Sequence, residues 1–216
     1  MKDLRLLLFL AILFLVNPSS LFAQEIMKTG PTFHGIRDFR EVMPGVLYRG
    51  GANNGHAPLN HGELSALCED DIGTAIYLYT TGFSGPSITH CSKGDLHYID
   101  KGWEGSGRAT VHKQVYDSIK SKGKPVFIHC WYGIHATGAV AATALMQFCN
   151  VSPKQAVDYW KVGVPAKLQY PKVIQSIMSF KPNPALQLTP EERDRYCPRF
   201  MRTDAYPSRC SDKEQR

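Results

Sequence analysis

Residues 125–138 read Pro-Val-Phe-Ile-His-Cys-Trp-Tyr-Gly-Ile-His-Ala-Thr-Gly, and no other stretch constrains the fold as strongly. Val126, Phe127 and Ile128 predict a short buried strand, Cys130 follows at its carboxyl end, and Ala139 to Cys149 continues as an Ala-rich helix. A buried strand that enters a helix through a short glycine-containing loop aims several unpaired backbone N–H groups at one point. Such a point attracts an anion, and the same field favours the thiolate of a cysteine held there. Cys130 is therefore a candidate nucleophile. Trp131, Tyr132, Gly133, Ile134, His135 and Ala136 form a candidate phosphate-binding cradle around it.

On either side the pattern alternates between strands and helices. Pro44-Gly45 marks a turn before a strand at Val46 to Tyr48, Leu64 to Cys68 suits a helix, and Gly73 to Tyr79 and Leu96 to Ile99 read as strands. Val111, Val115 and Ile119 share one face of a helix over 111–120, which Gly123-Lys124-Pro125 stops. Further helices open at Ser152-Pro153, at Pro171 and at Thr189-Pro190-Glu191-Glu192, the last with capping-box spacing. Strand-helix-strand order implies right-handed crossovers, so the expected class is α/β, with a mostly parallel central sheet flanked by helices. Gly50 to Gly55 reads as an exposed loop at the pocket, and residues 100–107 as a mobile polar one. Lys161 and Lys167 lie in a loop that either returns to the pocket rim or merely solvates a turn. His56 and His61, with no clustered carboxylate, make no metal site, so no metal or cofactor is expected.

In His129, Cys130, Gly133, Thr137 and Gly138 the chain resembles the cysteine-dependent phosphatases, the tyrosine and dual-specificity group that includes bacterial inositol phosphatases. Their signature is His-Cys, five residues, then arginine and Ser or Thr. The resemblance covers roughly residues 35–180. It implies a dual-specificity-like fold and a phosphocysteine formed on Cys130, with His129 orienting the loop from behind and Thr137 hydrogen-bonding the departing thiolate. It further implies an acid on the loop after the Leu96 to Ile99 strand, either Asp100 or Glu104, that protonates the leaving oxygen. Tyr48-Arg49-Gly50 is similar to the family's entry strand, where the arginine is structural. Tyr79 stands at a strand end where the family often has a charged residue.

Ala136 departs from the signature, since it occupies the arginine position. In the family that guanidinium grips two phosphate oxygens and steadies the charge spreading over them. Its loss costs about 3 kcal/mol or more, a rate loss on the order of a hundredfold to a thousandfold. His135 is the cradle's one residue able to become a cation: as imidazolium it either supplies part of that charge at mildly acidic pH or simply faces solvent. Three readings follow: a phosphatase with atypical loop chemistry, a pseudophosphatase that binds a phosphorylated or anionic ligand, and a rhodanese-type sulfurtransferase, which also carries a cysteine between strand and helix. Trp131 and Tyr132 can wall a pocket for an aromatic phosphate, an inositol phosphate or a lipid headgroup, or pack underneath.

Lys2 and Arg5, the apolar run Leu6 to Val16 and the small residue Ala23 read as a secretory signal peptide over 1–23, too short to span a bilayer. The expected organisation is this leader, an extension over 24–34, a phosphatase-like domain over 35–188, and a helix and tail over 189–216. Removal of the leader leaves 216 − 23 = 193 residues, enough for one core. Export to the periplasm or beyond permits disulfides, expected between Cys197 and Cys210 and between Cys68 and Cys91, with Cys149 a buried thiol. The formal charge of +6 becomes +5 without the leader's Lys2, Asp3 and Arg5. Scattered basic residues without interleaved aromatics argue against nucleic acid and for a phosphorylated small molecule or phosphoprotein as partner, with no stable membrane insertion.

Overall fold

The computed structural model describes residues 32–52 and 58–198. The expected leader, His56 and the tail with Cys210 lie outside the described residues. Strands β1 (Arg40–Met43) and β2 (Leu47–Gly51) form a hairpin whose turn passes through Gly45 at φ +66°. Next come α1 (His61–Glu69), β3 (Thr74–Tyr77), β4 (Ser87–Cys91), β5 (Gly94–Asp100), α2 (Gly105–Ser121), β6 (Val126–Cys130) and α3 (His135–Cys149). The chain continues through α4 (Pro153–Val162), α5 (Pro171–Met178) and α6 (Pro190–Tyr196). Capping boxes at Asn60, Ser152 and Thr189 open α1, α4 and α6.

The six strands lie in the order β1-β2-β6-β3-β5-β4. The inner four run parallel, while β1 and β4 are antiparallel to their neighbours. The sheet is thus mixed, not mostly parallel. The two edge strands were missed in the sequence because each is short and half-exposed, with no clear period of two. Alternation along β6 assigns Val126, Ile128 and Cys130 to the larger core, which includes Val115 of α2, Ala139 and Leu145 of α3, Trp160 of α4 and Ile177 of α5. Phe127 joins the smaller core under α1 with Leu64, Leu67 and Tyr98.

Helix α3 is the buried axis of the fold, for every residue over 136–149 is buried. Its alanines permit that close approach. A side chain at Gly138 would put its Cβ 2.8 Å from the Trp160 ring.

Three further expectations are corrected. Cys197 pairs with Cys149 and not with Cys210, so Cys149 is no free thiol; Cys68 pairs with Cys91 as expected. Residues 105–107 are the first turn of α2, because apolar positions further along stabilise the helix enough to absorb two glycines. Gly50 and Gly51 are buried strand residues packed under the loop after β6, not an exposed loop.

Candidate active site

Cys130 ends β6 at the carboxyl edge of the inner, parallel strands, with β2 on one side and β3 on the other. In sheets of this kind ligands bind at that edge. The thiol is buried, and it is the one free cysteine among the described residues.

The loop from 131 to 134 is pressed onto the end of β2. Ala52 donates its N–H to the carbonyls of Cys130 (3.1 Å) and Trp131 (2.9 Å). A Cβ on Gly51 would stand 2.5 Å from the Tyr132 carbonyl carbon, and one on Gly133 would stand 2.7 Å from Gly50. Gly133 also holds φ +73°, which disfavours any other residue. Helix α3 opens at Ile134 without a side-chain cap. Among the described residues, the N–H groups of Gly133 through Thr137 meet no acceptor. Thr137 is the third residue of the helix, so its N–H is one of the four amino-terminal ones that no carbonyl of the helix takes, while the Gly133 carbonyl accepts from the Arg49 guanidinium at 2.9 Å. A helix end left open in this way presents the partial positive charge that suits an anion.

Behind the loop a relay fixes His129. The Leu59 N–H donates to the Tyr98 oxygen (2.9 Å), the Tyr98 hydroxyl lies 2.8 Å from Nε2 of His129, and Nδ1 lies 3.4 Å from the Cys130 carbonyl. A carbonyl can only accept, so Nδ1 carries the proton and Nε2 receives the phenol's. Burial brings the imidazole down to about 3, which keeps it neutral. His129 is therefore held neutral behind the loop.

Beside the thiol stand two phenols. Burial first, then Cys130 and Tyr77, raises Tyr79 to about 12, and burial with a smaller contribution from Cys130 raises Tyr77. Trp131 donates its indole N–H to the Tyr77 hydroxyl at 2.7 Å and packs beside Tyr79, which makes it a wall of the site. Tyr132 is 40% exposed at the rim.

The remaining expected residues are dispersed. His135 points to the α4–α5 connection, with Nε2 donating to the Leu168 carbonyl at 3.0 Å and Tyr170 beside the ring. Ala136 is buried, and the Thr137 hydroxyl is buried without a partner among the described residues. Asp100 ends β5 opposite Tyr77, level with His129 but two strand spacings away, about 10 Å. Glu104 is exposed before α2 and lies 3.7 Å from the Lys172 ammonium. Lys161 and Lys167 appear in no described contact with the loop.

No protein-family model matches the chain, and no curated protein matches it. Among solved structures it is similar to Tk-PTP, a protein tyrosine phosphatase crystallised in its active form, at 13% identity and a TM-score of 0.45. The match covers 65% of this chain and 95% of that one. At that level it transfers no residue role.

Arg49, Tyr77 and Tyr98 are the side chains that sequence reasoning left out or gave no part at the site. Arg49 had a visible signal: it shares a strand face with Leu47, so an inward-facing guanidinium had to find a polar partner inside.

Proposed function

We propose that the chain is an exported cysteine-dependent phosphatase that hydrolyses a phosphomonoester through a phosphocysteine intermediate. One observation carries the reading: a single free thiol adjoins a run of N–H groups that meet no acceptor among the described residues. Cys130 attacks phosphorus, the P–S bond forms as the P–O bond to the leaving group breaks, and Asp100 gives the departing oxygen its proton. Water then cleaves the P–S bond and returns the thiolate. Asp100 is preferred because Glu104 is exposed and paired with Lys172. Trp131 and Tyr132 border the leaving group of a phosphorylated small molecule or phosphoprotein. Two disulfides support export, since such pairs persist in oxidising compartments.

Ala136 makes this a slow enzyme by the margin given above, and His135 is committed elsewhere. These two observations favour a second reading, in which the loop binds a phosphorylated ligand without turning it over. Phosphate release from an aryl phosphomonoester at mildly acidic pH separates the two. The phosphatase reading requires release that vanishes in Cys130→Ser, with one phosphoryl group found on Cys130 after acid quenching. Phosphate binding with neither signal leaves the binding reading, and sulfur transfer from thiosulfate would replace both.

A further inference from the structure

Among the described residues, the buried side-chain polar atoms without a partner are Nε of Arg40, Nε of Arg49, Oγ1 of Thr137 and Nε1 of Trp160. All four belong to the region behind the loop. Thr137 lies in the first turn of α3, and Trp160 and the Arg49 guanidinium flank Gly138 one residue later. The Arg40 guanidinium adjoins Gly163, beside that of Arg49. Three of the four are donors only.

Charge is equally unbalanced there. Asp38 pairs with Arg40 at 3.0 Å, but no carboxylate pairs with Arg49 among the described residues. Arg49 is 3% exposed, and its donors go to neutral oxygens, the Gly133 carbonyl and the Tyr159 hydroxyl at 3.2 Å. Arg40 feels the excess: burial chiefly, then the neighbouring Arg49, lowers its pKa, and Asp38 opposes both. A buried, unpaired cation is costly to keep. The carboxylate of this cluster, that of Asp38, already pairs with Arg40, so an anion taken up by the loop would meet a guanidinium that has no carboxylate of its own.

We propose that Arg49 supplies from behind the loop the positive charge that position 136 lacks, as a positioning residue acting through Gly133. This rests on the phosphate-loop reading above. Charged and titratable groups facing the guanidinium and the thiol are Arg40, Asp38, Tyr159, Tyr77 and Tyr79; His135 turns away.

The test compares wild type, Arg49→Gln and Arg49→Lys in calorimetric binding of inorganic phosphate and in the rate of Cys130 alkylation by iodoacetamide across pH. Loss of the charge in Arg49→Gln weakens phosphate on the order of tenfold to a hundredfold and moves the alkylation profile to higher pH, whereas Arg49→Lys keeps both near wild type. Unchanged behaviour of Arg49→Gln overturns the proposal. So does equal loss in Arg49→Lys, which would mean that the fork's shape matters and not its charge. If Arg49→Gln does not fold, Arg49→Lys alone decides: retention supports the proposal and loss overturns it. A wild type that takes up no phosphate sinks the loop reading itself, a result distinct from either.

Discussion

The carboxyl end of α3 is tied down by several contacts, whereas at the amino end several groups are left open. Asn150 turns left-handed at φ 56° and closes the helix on the Leu145 carbonyl. Gln147 exchanges hydrogen bonds with Asn183 (3.0 and 2.7 Å), and Cys149 is bonded to Cys197. The amino end has no cap, an uncrosslinked thiol, and the orphaned atoms of Thr137 and its neighbours. One helix, buried over 136–149, is closed at one terminus and left open at the other. Incomplete polar satisfaction, among described residues whose other buried side-chain polar atoms have partners, marks the site more sharply than any hollow does.

The contrast is open to four tests. Cys130→Ser should abolish phosphate release by on the order of a thousandfold or more while thermal stability stays near wild type; surviving turnover would break the division between ends. Replacing Cys149 and Cys197 together by Ala should cost about 4 kcal/mol, from a closed loop spanning 48 residues, in denaturant melts. Alkylation of Cys130 should not change, and if it does the two ends are coupled. Gly133→Ala forces a side chain into a left-handed position against Gly50, so about 2–3 kcal/mol should be lost together with phosphate binding. Retained binding would show that the loop relaxes freely.

The last test concerns pH, where the effect is spread over several units. His129 lies behind the open end, and His112 packs against Thr143 and Phe148 in the closed half. Burial brings each from 6.5 to about 3. The unfolded chain therefore takes up protons below about pH 6.5 that the folded chain refuses until about pH 3. Stability is complete above that window and falls within it by about 1.4 kcal/mol per pH unit for each imidazole. His112→Gln should lessen the slope above about pH 4.5, before the carboxylates take part, and an unchanged slope there would mean that His112 is not held neutral.

Legibility divides along similar lines. Val126 to Ile128, the helix behind them and the starts at Ser152 and Thr189 were readable because local propensity, capping chemistry and period agree there. The Cys149–Cys197 bridge was not, since pairing depends on which ends meet across 48 residues and spacing carries no such information. Asp100 and Glu104 remained alternatives in the sequence because a period of a few residues cannot say where α2 begins when its first turn holds glycines.

The residues by themselves predicted a thiol between a buried strand and a helix and put alanine at position 136. Only the tertiary structure decided that His135 faces away and that Arg49, from a strand 87 residues before Ala136 by subtraction of their numbers, lies beneath the loop. Local order follows from backbone and side-chain preferences over a few residues, but the charge felt at a point depends on every group folded around it.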